Sequence, residues 1–215
     1  AAGARVTVSA RKTDLLDKFV ASHAGSQAIA LDVCDAQAVH AVAQQVAQTH
    51  GIDVVVYCSG YYKAVRATKY SLEEMAYHQD VNYLGVARVL DAVLPILLDQ
   101  KRGHISLIAS VAGYSGLPNS LAYGPTKAAM INLAESLYFD LSPIGIGVSV
   151  VNPGFVATPL TAQNKFAMPA LLQPEEAAAY MLKGWADGEF EIHYPKRFSR
   201  WLKFMRLLPY RWYFG

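Results

Sequence analysis

A tyrosine and a lysine four positions apart, preceded by a serine, are the residues of this sequence best suited to catalysis. Tyr123 and Lys127 open a segment with helical spacing, so both side chains lie on one helix face. A free tyrosine titrates at about pH 10, but a neighbouring ammonium lowers its pKa and makes it a usable general acid or base. Ser110 closely follows an apolar run, and its hydroxyl can donate a hydrogen bond to the same substrate oxygen. The three residues predict proton transfer at a carbonyl or alcohol oxygen, although the pair alone more often reflects ordinary helix packing.

The elements that must position these residues can be predicted from the alternation of two hydrophobic patterns. Short apolar runs, typical of strands buried on both faces, alternate with longer segments of helical spacing. The alternation predicts an α/β fold with a doubly wound parallel sheet, Rossmann-like, in three α/β/α layers. The predicted strands are residues 6–8, 28–31, 54–57, 105–108 and 148–151. The predicted helices are residues 15–23, 36–50, 72–100, 122–141 and 175–185.

Composition indicates one main domain. The 215 residues are 53% hydrophobic and 17% charged, which excludes a disordered, collagen-like or coiled-coil protein. The composition does not change before Tyr194, so we predict a domain over residues 1–194 and an appendage over residues 195–215. Cys34 and Cys58 belong to no disulfide or metal motif, and no apolar run is predicted to be long enough to span a bilayer. These features favour the cytoplasm.

Ser110 and the motif Tyr123-x-x-x-Lys127 resemble the catalytic residues of the short-chain dehydrogenase/reductase family, and the resemblance continues to about Trp185. It implies that Tyr123 gives or takes the proton and that Ser110 stabilises the oxygen. Lys127 would lower the pKa of the tyrosine and bind the ribose of the cofactor. The segment Asp80-Val81-Asn82-Tyr83-Leu84-Gly85 is similar to the family's helix segment whose asparagine, here Asn82, holds a water in a proton relay.

The same resemblance implies where a nicotinamide cofactor binds. Leu31-Asp32-Val33 is similar to the segment that contacts adenine, and the turn over residues 152–158 is similar to the family's Pro-Gly turn around the nicotinamide. Cys58-Ser59-Gly60 replaces the family's usual Asn-Ala-Gly, so an amide that ties neighbouring strands is missing. The implied cofactor contacts are Asp32, Val33, Ser59, Gly60, Tyr123, Lys127, Pro153, Gly154, Val156 and Thr158.

One family motif has no counterpart in this sequence. It is the glycine-rich turn Thr-Gly-x-x-x-Gly-x-Gly, which holds the pyrophosphate. Residues 1–6 resemble the end of the helix that follows this turn and the entry to the second strand. We therefore expect the natural protein to carry a further strand-turn-helix unit before Ala1. The alternative is a degenerate family member without its cofactor site.

The residues after the first strand indicate the cofactor. The run over residues 6–10 ends without the acid typical of NAD sites, and Arg11 and Lys12 follow it. Arg11 can pair with a 2′-phosphate and stack on adenine, with Ser9 as a further donor. The sequence therefore favours NADP over NAD. A solvated arginine and lysine at a strand end are the alternative.

The C-terminal appendage is basic, with six Lys and Arg residues and no acid over residues 195–215. It predicts an amphipathic helix over residues 196–208 that ends before Pro209. Two interpretations are equally supported. In the first, residues 196–214 contact the inner membrane face or form a lid over a lipophilic substrate. In the second, they pack on the same or a neighbouring subunit. On a helical wheel the apolar side is Phe198, Trp201, Leu202, Met205 and Leu208. The basic side is Lys196, Arg200, Lys203 and Arg206, with Phe204 and Leu207 as exceptions.

The loop over residues 160–172 is expected to contact the substrate. Its apolar residues indicate a small hydrophobic carbonyl or alcohol, although the loop can also simply cover the core. The family resemblance implies a homodimer or homotetramer formed through the long helices, and no motif indicates nucleic acid. A competing function is a non-catalytic scaffold or regulator that binds a membrane or partner through the basic tail. The apolar loop residues are Phe166, Ala167, Met168, Pro169, Leu171 and Leu172.

Overall fold

The computed structural model describes residues 3–163 and 167–215, in which parallel strands alternate with helices. The predicted parallel α/β fold with flanking helices is confirmed. The strands are β1 (Thr7–Ala10), β2 (Gln27–Ala30), β3 (Val54–Tyr57), β4 (Gly103–Ile108), β5 (Ile146–Pro153) and β6 (Glu191–Tyr194). The helices are α1 (Asp14–Ser22), α2 (Ala36–His50), α3 (Leu72–Gln79), α4 (Gly85–Gln100), α5 (Tyr123–Leu141), α6 (Pro174–Ala186), α7 (Lys196–Met205) and α8 (Tyr210–Tyr213). Phe166, one of the predicted loop residues, lies outside the described residues.

The strands form two parallel sheets, with β1 paired to β2 and the others in the order β3-β4-β5-β6. β4 and β5 are the central strands of the larger sheet. Ile105 and Leu107 of β4 and Val150 of β5 are at most 1% exposed. Burial on both faces explains why these strands are continuously apolar in sequence. Within the described residues no ladder joins β1 to β3, and Val54 and Val56 on β3 stay exposed.

Helices α4 and α5 share one hydrophobic core with the larger sheet. Residues spaced by three or four positions bury one stripe of each helix, as expected for amphipathic helices. Burial of each such leucine contributes about 1.5–3 kcal/mol to folding. The buried core residues of the two helices include Val86, Leu90, Val93, Leu97, Met130, Ala134, Leu137 and Leu141.

The helix predicted over residues 72–100 consists of α3 and α4 joined by a π-helical turn, Asp80–Leu84. By length and composition the whole stretch Leu72–Gln100 qualifies as a membrane span, contrary to the prediction that no apolar run is long enough. This is weak support, because core helices meet the same criteria and 44% of its most apolar window is buried in the fold. The Arg88 guanidinium pairs with Asp80 at 2.7 Å, so a charge pair lies across the junction with the turn.

The last strand, β6, was not predicted from the sequence. Its polar residues Glu191 and His193 alternate with the buried Ile192 and Tyr194, so it lacks the continuous apolar run of the other strands. β6 pairs with the end of β5, and the C-terminal helix α7 packs against it. The predicted amphipathic helix therefore lies on the domain, and it ends at Met205 rather than at residue 208.

Candidate active site

The predicted catalytic residues lie on the helix α5 and on two turns that contact it, the turn after β4 and the turn between α3 and α4. Ser110 follows β4 and begins a 3-10 turn, Val111–Gly113, while Tyr123 is the first residue of α5. Asn82 lies in the π-helical turn between α3 and α4. Loops that leave parallel strands in the same direction meet at one edge of the sheet, which is where ligands bind in open α/β folds.

Ser110 and Tyr123 are neighbours. The Ser110 hydroxyl is near enough to the Tyr123 phenol to lower its pKa, and Ser110 Oγ accepts a hydrogen bond from the Ala112 amide at 3.1 Å. This bond fixes the serine side chain at the start of its turn. A hydroxyl and a phenol are thus held together at the end of β4, where both can reach one substrate oxygen.

Lys127 lies beneath the tyrosine and is almost fully buried. Its Nζ donates a hydrogen bond to the Ile108 carbonyl at 2.8 Å and lies 5.6 Å from the centroid of the Tyr123 ring. Burial disfavours the ammonium and lowers the pKa of Lys127 to about 8. The predicted lysine and tyrosine are therefore neighbours, as their spacing on α5 requires.

The expected lowering of the tyrosine pKa by Lys127 is not found. Burial raises the pKa of Tyr123 to about 12, and the nearby Ser110 hydroxyl offsets only part of this effect. The lysine has little influence because its ammonium donates to the Ile108 carbonyl rather than to the phenol oxygen. At neutral pH the phenol is therefore protonated, which suits a proton donor.

Asn82 is completely buried and connects two loops of the site. Its Oδ1 accepts from the Tyr61 amide at 2.7 Å, and its Nδ2 donates to the Tyr61 carbonyl at 3.0 Å. The same Nδ2 donates to Thr126 Oγ1 at 3.0 Å, and that hydroxyl donates to the Tyr123 carbonyl at 2.7 Å. Asn82 thus joins the loop after β3 to the first turn of α5.

Asn82 and Lys127 both lie beside Gly60. A β-carbon on Gly60 would lie 3.9 Å from Asn82 Oδ1 and 4.0 Å from Lys127 Nζ. Both distances are ordinary van der Waals contacts, so the asparagine and the lysine both border Gly60. Ser59, the preceding residue, is half-buried in the same loop.

One residue that the sequence did not indicate contacts the tyrosine, and a second residue holds its loop. The rings of Tyr62 and Tyr123 make an edge-to-face contact with 5.2 Å between their centroids. Gln163 Nε2 donates to the Tyr62 carbonyl at 2.9 Å and so ties the loop after β5 to the loop after β3. The position of Tyr62 just beyond Gly60 was the available signal, but no spacing rule relates it to Tyr123.

A second group of predicted residues lies at the ends of β1 and β2. Arg11 donates to the Tyr77 hydroxyl at 2.8 Å, and this bond, with a smaller effect of Asp32, raises the pKa of Arg11. Asp32 Oδ1 accepts from the Cys34 amide at 3.0 Å. Ser9 and Arg11 are exposed, so the remaining guanidinium donors are accessible to a phosphate.

The predicted turn after β5 is compact. The Gly154 amide donates to the Tyr194 carbonyl at 2.7 Å, and a β-carbon at Gly154 would lie 3.2 Å from Phe198. The Thr158 amide donates to Thr161 Oγ1 at 3.0 Å. A cavity of about 340 Å³ opens beside this turn, and its lining is almost entirely apolar. The lining residues are Ala157, Thr158, Pro159, Thr161, Ala162, Met168 and Leu171.

Asn152 of β5 belongs to a polar cluster that the sequence did not indicate. Asn152 Nδ2 and the Tyr114 hydroxyl both donate to Glu191 Oε1, at 2.9 and 2.7 Å. Lys203 of α7 pairs with the other carboxylate oxygen. Burial alone raises the pKa of Glu191, but the hydrogen bonds from these three residues outweigh it and hold the pKa below its usual range. The cluster fixes the C-terminal helix beside the turn that follows β5.

The two residue groups fit a dinucleotide on chemical grounds. Beside Gly60 there is space next to the buried ammonium of Lys127. At the ends of β1 and β2 the exposed guanidinium of Arg11 keeps free donors. A guanidinium suits a phosphate, and an ammonium suits ribose hydroxyls. Val33 follows β2, Pro153 is the last residue of β5, and Val156 follows β5.

Comparisons with known proteins agree with this geometry. A family model described as short chain dehydrogenase matches residues 1–168. An uncharacterized oxidoreductase from Myxococcus xanthus is 33% identical over 212 residues, which covers 96% of this chain and 84% of the relative. One from Staphylococcus aureus strain MRSA252 is 30% identical over 184 residues, with 84% and 79% covered. A solved short-chain dehydrogenase from Streptomyces avermitilis matches with a TM-score of 0.84 at 26% identity, over 96% of this chain and 84% of that one. The chain therefore belongs to the short-chain dehydrogenase/reductase family, whose members are oxidoreductases that use NAD(P).

Proposed function

We propose that this protein is an NADP-dependent oxidoreductase that interconverts a hydrophobic carbonyl compound and its secondary alcohol. The observation that carries the proposal is the proximity of the Ser110 hydroxyl to the protonated Tyr123 phenol, beside the buried Lys127. When bound, the nicotinamide supplies or accepts the hydride. The residues of this chain then handle the oxygen and its proton.

In the reducing direction Tyr123 donates its proton to the substrate oxygen, and the Ser110 hydroxyl donates a hydrogen bond that stabilises the charge on that oxygen. Lys127 holds ribose hydroxyls. Asn82 would hold a water in the relay that returns the proton. Its position supports this role, because Asn82 and Lys127 both border Gly60. In the oxidising direction the same groups act in reverse.

The cofactor residues follow from the strand ends. Arg11 and Ser9 would hold the 2′-phosphate, because the guanidinium is exposed and the end of β1 carries no acid. Asp32 and Val33 would contact adenine. The remaining contacts would come from Ser59, Gly60, Tyr123, Lys127, Pro153, Gly154, Val156 and Thr158.

The apolar lining of the cavity beside Thr158 supports a hydrophobic substrate. A second cavity of about 520 Å³ lies between the segment before α5 and the C-terminal residues Tyr213 and Phe214. Its lining includes Pro125, two residues from Tyr123. Either cavity can accept an alkyl or aromatic substituent of a ketone.

We further propose a cytoplasmic homodimer or homotetramer that associates through α4 and α5. Leu98 on α4 and Tyr138 and Phe139 on α5 support it, because these large apolar side chains are exposed. We also keep the division into a domain over residues 1–194 and a C-terminal appendage that packs on it.

Titration of the protein with NADPH and NADH, followed by nicotinamide fluorescence, tests the cofactor proposal. We expect NADPH to bind more tightly, and Arg11→Ala to weaken NADPH binding about tenfold to a hundredfold with little effect on NADH. Lys12→Ala is the matched control and should bind as the wild type does. Binding of neither nucleotide would favour the non-catalytic scaffold. Equal binding of both would contradict the NADP assignment.

Turnover with a series of ketones tests the substrate class. NADPH oxidation should be fastest with ketones that carry apolar substituents and should slow when a charge is added to the same carbon framework. A preference for charged or strongly polar carbonyl compounds would contradict the hydrophobic substrate.

A further inference from the structure

The outward side of the C-terminal segment carries large apolar side chains and arginines together. The six apolar side chains are 56–80% exposed. Four arginines on the same segment are exposed as well, and no acidic residue occurs over residues 195–215. The exposed apolar residues are Trp201, Phe204, Leu207, Tyr210, Trp212 and Phe214. The exposed arginines are Arg197, Arg200, Arg206 and Arg211.

This arrangement differs from the helical wheel predicted from the sequence. Trp201 lies outward, and Phe204 and Leu207 are part of the exposed set rather than exceptions. Lys196 and Lys203 point back to the domain, where they pair with Glu189 and Glu191. The helical-wheel prediction was wrong because it placed the apolar residues on one side and the basic residues on the other. In the structure the domain contacts some apolar and some basic side chains of the segment.

The inward contacts already hold the segment on the domain. Ser199 is fully buried, and its hydroxyl hydrogen-bonds His193 Nδ1 at 2.6 Å and the Pro195 carbonyl at 2.9 Å. Farther along, the Tyr213 hydroxyl donates to the Gly116 carbonyl at 2.7 Å. Packing on the domain therefore does not account for the outward set.

The lysines and the arginines of the segment differ in their partners. Both lysines of the segment form ion pairs with the domain, whereas none of its four arginines pairs with an acid in the described part of the chain. Arg211 instead lies 5.7 Å from the ring of Trp212. The outward surface is thus uniformly positive, with aromatic rings between the charges.

We propose that this outward surface, formed by exposed side chains of residues 197–214, docks on an anionic phospholipid bilayer. Lipid phosphates supply the negative charge that the arginines lack, and Trp, Tyr and Phe rings suit the depth of the headgroups. A second copy of the chain fits less well, because a symmetric contact sets the same surfaces against each other and opposes like charges. Charge complementarity therefore selects the lipid surface.

Sedimentation with phosphatidylcholine vesicles, with and without phosphatidylglycerol, tests the proposal. The protein should bind the anionic vesicles, and binding should weaken as NaCl is added. Arg200→Gln and Arg211→Gln should each weaken binding about fivefold. Phe204→Ser should weaken it as well, and the tryptophan emission should shift to shorter wavelength only in the protein that binds.

The controls are equally exposed residues elsewhere. Arg66→Gln removes an exposed arginine from another surface, and Tyr70→Ser removes an aromatic side chain that is 58% exposed; both variants should bind as the wild type does. Equal binding to neutral and anionic vesicles, no binding to either, or equal losses in the controls would overturn the proposal. A dimer that Phe204→Ser converts to monomer in analytical ultracentrifugation would assign the surface to a second copy and overturn it too. The assay needs no cofactor or substrate, so its outcome is independent of the proposed reaction.

Discussion

Gly113 lies against the backbone of Lys127, so close that a β-carbon on the glycine would stand 2.7 Å from the Lys127 carbonyl carbon. The opposing atoms belong to the interior of α5 and cannot rotate away. This approach brings the turn that carries Ser110 against the helix that carries Tyr123. The distance between the serine hydroxyl and the phenol therefore depends on the absence of a side chain at position 113.

Gly113→Ala should separate the Ser110 hydroxyl from the Tyr123 phenol. The methyl group must push the turn off α5, and a displacement of about 1 Å at a catalytic group can lower the rate about a hundredfold. We expect kcat/KM to fall by about that factor and the free energy of unfolding to fall by about 1–3 kcal/mol. Gly116→Ala is the control, because a β-carbon there meets nothing within 4 Å. Equal activity of the two variants would refute the positioning role of Gly113.

Lys127→Met should change how stability depends on pH. Burial lowers the pKa of Lys127 from 10.5 to about 8, so between these values the unfolded chain binds a proton that the folded chain has released. The contribution of Lys127 therefore makes stability rise with pH across this window. Below about pH 8 the buried ammonium costs about 3 kcal/mol, and the methionine removes that cost.

Urea unfolding at several pH values measures this effect. At about pH 7 the methionine variant should be more stable than the wild type, and the difference should shrink as the pH rises from about 8 to 10. Lys18→Met, at an exposed position, should give a difference that does not change with pH. If the stability difference between Lys127→Met and the wild type does not change with pH, burial does not destabilise the charged form of Lys127.

The proximity of the proposed catalytic residues was predictable because it is local in sequence. Tyr123 and Lys127 are one helical turn apart and Ser110 closely follows a strand, whereas their proposed roles come from the family resemblance. Tyr62 was missed because its contact with Tyr123 joins two loops that no pattern relates. The raised pKa of Tyr123 was missed for a similar reason: it depends on burial by the whole fold rather than on the neighbouring lysine.

The C-terminal region was predicted only in part. A basic amphipathic helix was expected, and α7 confirms the helix, but its orientation depends on β6. That strand is short and half polar, so its sequence resembles a loop. Without β6 the sequence could not show that Glu191 pairs with Lys203 or that Trp201 faces outward.

Glu191→Gln should loosen the C-terminal helix. The carboxylate accepts from Tyr114 and Asn152 and pairs with Lys203, so its neutralisation should lower the free energy of unfolding by about 2 kcal/mol. Because these bonds hold the pKa of Glu191 below its usual range, the stability they provide should be lost as the pH falls below about 4.5. Trypsin should cleave residues 196–211 faster in the variant.

Glu189→Gln provides the comparison. Glu189 pairs with Lys196 at 3.1 Å, but both side chains are more than a third exposed, and such pairs contribute about 1 kcal/mol or less. Its cleavage rate should stay close to that of the wild type. If both variants are cleaved at the same rate, the buried cluster does not hold the helix.

The central claim is that Tyr123 transfers the proton, and the variant Tyr123→Phe tests it most directly. The phenylalanine keeps the ring that packs on Tyr62 and loses only the hydroxyl that lies near Ser110. Nucleotide binding by fluorescence titration and ketone reduction should be measured on the same preparation. We expect kcat to fall about a hundredfold or more, with the Kd for NADPH within about twofold of the wild type. Retained turnover with unchanged nucleotide binding would contradict the account.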